Sequence, residues 1–211
     1  MESYIGYMLQ ITTITITLLL GIFGLVQTKK IQKGQNIVSI TTNYRMQRSE
    51  QIKQYGHVLL AQSSPELLKI SKETALKMAE KTHSASAHFH MILHRCFEQD
   101  LELMSLAEQI AKTVTEYVNA LHYSMSTSKK TLARLKKKLI GYRKIFTIKC
   151  DIYTYAEWNR IKKETGGVNT ASQEWINNYQ KLLCKYEKEL SQVLEAYKDV
   201  IESDDYNAVK E

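Results

Sequence analysis

Twenty-six consecutive residues near the start of the chain, positions 3–28, carry no charge, and Lys29 and Lys30 follow at once. A helix needs about 20 mainly apolar residues at ~1.5 Å each to cross the hydrocarbon of a bilayer, so this run is long enough to span with some tilt. It lacks the marks of a cleaved secretory leader: no positive region precedes it and no A-x-A-like site follows. The expectation is a transmembrane helix over 1–28, a cytoplasmic helical domain over 29–202 and an acidic, frayed tail over 203–211. The expected fold class is all-α, a single N-terminal transmembrane helix continuing into a cytoplasmic helical bundle. Only Glu2 stands before the run, whereas Lys29, Lys30, Lys33, Arg45, Arg48 and Lys53 stand after it. Positive residues favour the cytoplasmic side, which puts the N-terminus outside and the bulk of the chain within.

The run has a second property. Gly6, Gln10, Thr13, Thr17, Gly21, Gly24 and Thr28 recur at intervals of three and four, a rhythm that places them on one helix face. Small residues let a second helix approach closely, and Gln and Thr hydrogen-bond across such a contact or face water. Self-association through this face, or a water-lined pore, is expected. The plainer alternative is that the Thr hydroxyls bond back to their own backbone, and Thr12 and Thr15 lie off the stripe.

The rest of the 211 residues suffices for one domain with a substantial core. One Pro, eight Gly and no strand-rich block point to helix. Cys96, Cys150 and Cys184 show no metal-like spacing, and an odd count argues for free thiols.

Over 29–62 the periodicity of Ile37, Ile40, Tyr44, Ile52, Tyr55, Leu59 and Leu60 predicts that the first helix continues, or resumes after Gly34. Ser64-Pro65 reads as a cap and first position of a new helix, with Leu67, Leu68, Ile70, Leu76 and Met78 buried. His90, His94 and Glu98 recur every four residues, with His83 nearby in phase, and would line one helical face. No third ligand or H-E-x-x-H pattern accompanies them, so polar or capping roles are expected rather than a metal site. Leu103, Leu106, Ile110, Val114, Tyr117, Val118 and Leu121 form a strong amphipathic helix, and 124–128 is a loop.

No acid occurs between Glu116 and Asp151. Lys129, Lys130, Arg134, Lys136, Lys137, Lys138, Arg143, Lys144 and Lys149 fall in that interval, beside an apolar face of Leu132, Leu135, Leu139, Tyr142, Ile145 and Phe146. Such a helix binds anionic lipid or RNA, or is an ordinary helix whose lysines are solvated or pair with the acidic C-terminal helix. A helix continues over 153–164 and stops at Gly166-Gly167, and 170–173 resembles a capping box. The last helix carries a heptad-like seam with Trp175, Tyr179, Leu182, Tyr186 and Leu190, able to pack on the domain or on a second copy.

There is no P-loop, G-x-G-x-x-G, G-x-S-x-G or zinc-ligand quartet. No Arg is followed by His four to six residues later, the spacing used by helical ribonucleases of the HEPN type. The chain is therefore expected not to be an enzyme, with no cofactor and no small-molecule substrate.

The segments TTNYRMQRSEQIKQYGHVL, ILHRCFEQDLELMSLAEQI and AEWNRIKKETGG resemble a loose group of small bacterial membrane-anchored helical proteins. The group includes the accessory membrane proteins of type VI-B CRISPR systems. In it an R-x-x-W-like helix follows the anchor and a W-x-R-x-K-x-E-like element closes a helix. The resemblance implies an inner-membrane anchor, a HEPN-like helical cytoplasmic domain, a homo-oligomeric ring with a central pore, and a part in antiviral defence. Partners implied are further copies of the chain, membrane lipids, and an RNA-guided defence complex or RNA.

Overall fold

The computed structural model describes the backbone of residues 2–94, 97–124, 127–165 and 172–201, and the side chains of these except 2–22, 30–38 and 172–173. The fold is all-α, and no strand occurs among the described residues. The elements are α1 (Glu2–Gln62), a 3-10 turn (Leu67–Lys69), α2 (Lys72–Ile92), α3 (Glu98–His122), α4 (Lys129–Thr165) and α5 (Ser172–Ile201). The chain divides into two compact units, Met1–Tyr44 and Arg45–Glu211.

In the first unit the backbone is helical from Glu2, and Phe23, Leu25 and Val26 are exposed. Among the described residues no helix is long and apolar enough to cross a membrane. The side chains of most of the uncharged run, those of Gln10, Thr13 and Thr17 and the surroundings of Gly6 and Gly21 included, lie outside what is described. Of the stripe, Gly24 and Thr28 are described: the Thr28 hydroxyl donates to the Gly24 carbonyl at 2.8 Å, the back-bonded arrangement.

The second unit is a helical bundle in which α4 packs on both α3 and α5, and α2 packs on α3. The last part of α1 contributes Ser49, Ile52, Gly56 and Leu59 to the buried side, spaced three and four apart as one helix face requires. At Gly56 an added Cβ would sit 3.5 Å from Cys150 Sγ and 3.6 Å from the Phe146 ring, so α1 runs close against α4 there. The stripe Leu103, Leu106, Ile110, Val114, Tyr117 and Val118 of α3 is buried at the centre. Phe89 of α2 meets Phe146 edge to face, centroids 5.4 Å apart. α4 also runs close against α5: a Cβ on Gly141 would lie 2.9 Å from Tyr197 Cγ.

Two expectations fail at α2. Its cap is Ser71, whose Oγ accepts from the Thr74 N–H at 3.1 Å, and not Ser64. The Ser64 carbonyl instead accepts the N–H groups of Leu67 and Leu68, closing the turn that precedes the helix. Leu68 and Met78 are buried as expected, but Leu67 and Ile70, at the 3-10 turn, are exposed, and so is Leu76, which lies off the α2 face that buries Ala75, Met78, Ala79 and Thr82. The second failure is at the other end. α2 stops at Ile92, where Leu93 turns extended and buries its side chain, so His90, His94 and Glu98 do not share a helix face.

Candidate functional site

Asp100 stands in the first turn of α3 and is completely buried, with 0 % of its surface exposed. The N-cap, Phe97, makes no side-chain capping hydrogen bond, and Asp100 stands three residues on. Its Oδ2 accepts the backbone N–H of His94 at 2.7 Å, near the positive end of the helix dipole. The same oxygen accepts from Arg48 Nη2 of α1 at 2.6 Å, and Oδ1 accepts from the Tyr153 hydroxyl of α4 at 2.7 Å. Arg48 Nη2 also donates to the Tyr153 oxygen at 2.7 Å, which closes a triangle across three helices. Burial, and then the Asp100 charge, push the Tyr153 phenol well above its usual range, so it stays protonated and donating.

One turn back along α1 and two to three turns further along α4 lies a second lobe. Arg45 is bonded to Glu164, and Arg160 Nε lies 3.3 Å from the same Glu164 oxygen. Between the lobes stands Glu157, 5 % exposed, whose Oε2 has no hydrogen-bond partner among the described residues. Burial raises its carboxyl pKa, opposed by the charges of Arg160, Arg48 and Arg45. Three arginines thus meet three acids in a space that water reaches poorly. Trp175 and Tyr179 of α5 cover the cluster, their centroids 5.4 and 6.4 Å from that of Tyr153. A buried pair of Lys149 with Glu102, 2.7 Å apart, adds a further link from α4 to α3.

Chemically this arrangement holds helices in register. Its charges are matched and its hydroxyl is locked protonated. Breaking one partner of such a set is expensive, because the remaining charge is left buried and uncompensated.

The basic segment 129–149 is distributed differently from a single basic face. Lys136 pairs with Glu66 at 2.5 Å, and Lys137 with Asp199 of α5 at 2.7 Å. Arg143 donates to the Leu60 carbonyl at 2.9 Å, satisfying an end group of α1. Lys138 is buried beside the Tyr142 ring, and Lys144 lies 5.3 Å from the Tyr197 ring. Lys129, Lys130 and Arg134 are exposed on the first turns of α4. The seam of α5 packs within its own chain: Trp175 and Tyr179 are buried, and Leu182, Tyr186 and Leu190 are partly buried against the same core.

The histidines are held singly. His90 Nε2 lies 2.9 Å from Glu108, His83 is bonded to Thr115, and His88 stacks on Tyr55 with centroids 4.1 Å apart. Among the described residues no group of three or more His, Cys, Asp or Glu is placed to hold a metal ion. Cys150 is buried, its thiol pushed up to about 12 by burial, and Cys184 is exposed.

The chain matches no protein-family model, no curated protein and no solved structure.

Sequence reading did not single out the ionic cluster as a site. Arg45 and Arg48 counted only as positive flank, although they lie in the first quoted segment, Asp100 in the second, and Glu157, Arg160 and Glu164 in the third. A signal was present. Arg45 and Arg48 continue the rhythm of Ile52, Gly56 and Leu59, and Glu157, Arg160 and Glu164 continue that of Tyr153 and Ala156. Charges placed in phase with a core stripe have to find partners inside it.

Proposed function

We propose that the chain is a non-enzymatic, single-pass inner-membrane protein that self-associates and opens a pore or perturbs the membrane potential in antiviral defence. The N-terminus lies outside and the helical bundle in the cytoplasm. The observation that carries this reading is the 26-residue uncharged run followed at once by Lys29 and Lys30, within the bounds of the single helix α1. The bundle's chemistry agrees with it. The buried ionic cluster is enclosed and charge-matched, which suits a clamp between helices and not a reacting centre. The resemblance of the three segments to membrane-anchored defence proteins supplies the biological context.

The test is expression of the full chain and of a version lacking residues 2–28 in a bacterial host. The full chain is expected to stay with membranes through an alkaline wash, to run as an oligomer by light scattering in detergent, and to collapse a potential-sensitive dye signal. The shortened version should do none of these. A full chain that is washed off, or is monomeric at every concentration, refutes the reading.

A second reading rests on the exposed cations Lys129, Lys130 and Arg134: a tethered module holding RNA or anionic lipid there. Lys129→Glu with Lys130→Glu then abolishes RNA retention or vesicle flotation. Unchanged binding removes this alternative.

A further inference from the structure

Two adjoining hollows, of about 460 and 230 Å³, open along the seam of α1, α4 and α5 and share Lys53, Asp151 and Thr154. The larger is of the size that small ligands occupy. On α4, Asp151, Thr154 and Trp158 follow one another at three and four residues, and on α1 Lys53 and His57 stand four apart, so each set lines one helix face. The larger hollow ends on Tyr155, Trp158 and, from α5, Tyr186; the smaller one ends on His57. The shared residues lie between.

Three features of this groove bear on what it can hold. Tyr155 and Trp158 present large ring faces to solvent, 54 % and 44 % exposed, while Tyr153 on the same helix is buried. Lys53 and Asp151 are both exposed and line the same hollows, yet no ion pair engages either among the described residues. Other charges of the bundle do pair across helices, as in Lys137 with Asp199 and Lys149 with Glu102. The groove also carries its groups in sequence: rings at one end, a carboxylate and an ammonium in the middle, and an imidazole beyond.

Those groups match the parts of a nucleotide. Exposed aromatic faces stack bases of any identity. A carboxylate accepts hydrogen bonds from ribose hydroxyls. Lysine and histidine donate to phosphate oxygens, and the chain's net charge of +7 draws anions towards it. Lys162 Nζ, 5.3 Å from the Trp158 ring centroid, adds positive charge near the stacking end. We propose that this groove binds a nucleoside phosphate, with the base on Trp158 and Tyr155, the ribose at Asp151 and the phosphates at Lys53 and His57. The proposal is independent of the membrane reading.

The test uses the full-length chain in detergent and titrates ATP, dATP, adenosine and inorganic pyrophosphate, with binding read by calorimetry and by tryptophan fluorescence. Trp158 lies in the groove and Trp175 is buried against Tyr153, so quenching of the exposed tryptophan reports occupancy. ATP should bind saturably and more tightly than adenosine or pyrophosphate. Trp158→Ala should weaken ATP about 5- to 150-fold, the range expected for losing one base stack. Lys53→Ala should weaken ATP about tenfold or more and leave adenosine unchanged. Asp151→Asn should remove the preference for ATP over dATP. All three side chains are exposed, and an unchanged far-ultraviolet circular dichroism spectrum confirms that each variant is folded. Absence of saturable ATP binding up to millimolar concentration overturns the proposal. So does pyrophosphate binding as tightly as ATP, or a folded Trp158→Ala that binds ATP like the parent.

Discussion

Replacing Asp100 with Asn keeps the size of the side chain and removes its charge, which makes it the sharpest probe of the buried cluster. The carboxylate accepts three hydrogen bonds of 2.6 to 2.7 Å, from Arg48, Tyr153 and the His94 N–H. Charged hydrogen bonds contribute about 1.5–3 kcal/mol each, so a simple sum gives about 5–9 kcal/mol. That sum is too large, because Asn keeps one acceptor oxygen and Arg48 keeps its 2.7 Å contact to the Tyr153 hydroxyl. The controlling quantity is the cost of leaving Arg48, whose side chain is 13 % exposed, without its counter-charge. Removal of one partner from a buried pair costs about 3–5 kcal/mol, against a total stability of about 5–15 kcal/mol for a domain. Asp100→Asn is therefore expected to lose about 3–5 kcal/mol in urea unfolding of the full chain, followed by tryptophan fluorescence. Trp175, packed 5.4 Å from Tyr153, places a reporter beside the break. Arg48→Met alone should be destabilising too, and the double variant should be less damaged than the two losses added, with coupling of about 1–3 kcal/mol. A loss below about 1 kcal/mol for Asp100→Asn, or strict additivity, would show that the cluster does not hold α1, α3 and α4 together.

Burial raises the Glu157 pKa from its ordinary 4.5, so the folded state holds that proton more tightly than the unfolded state. Its contribution to stability is complete below about pH 4.5 and is lost as pH climbs through the raised value. Glu157→Gln should therefore gain on the parent as pH rises from about 4 to about 8; urea midpoints that keep a constant gap refute this. Gly141→Ala should destabilise by about 1–2 kcal/mol, since overpacking against Tyr197 and Ile201 exceeds the helix-propensity gain of up to ~1 kcal/mol. A rise in thermal stability would mean that α4 and α5 are further apart. Peptide mapping after alkylation near pH 8 should find Cys184 modified in the native chain and Cys150 modified only after unfolding, as burial and a thiol pKa of about 12 require.

Helix content and much of the core were legible because they depend on spacing alone. The α3 stripe was read correctly, since six side chains at three- and four-residue intervals bury one face whatever packs on it. The end of α2 was not legible. The stretch after Ile92 contains no Gly or Pro, and the helix breaks because Leu93 is buried in an extended conformation, a decision of the core and not of propensity. The cap at Ser71 was missed in favour of Ser64-Pro65, whose signal is equally good locally. The basic segment looked uniform along the chain, yet its lysines point to Glu66, Asp199 and Glu102, three acids on three different elements or turns.

What the sequence determined by itself was period and hydropathy: an all-α chain, its amphipathic faces, and an uncharged run of membrane-spanning length. What only the tertiary structure decided was which charges meet. Arg48 finds Asp100 at a separation of 52 residues and Tyr153 at 105, and Arg45 finds Glu164 at 119. The face a residue occupies follows from its neighbours a turn away, whereas the partner of a buried charge is fixed only when distant helices close around it and exclude water.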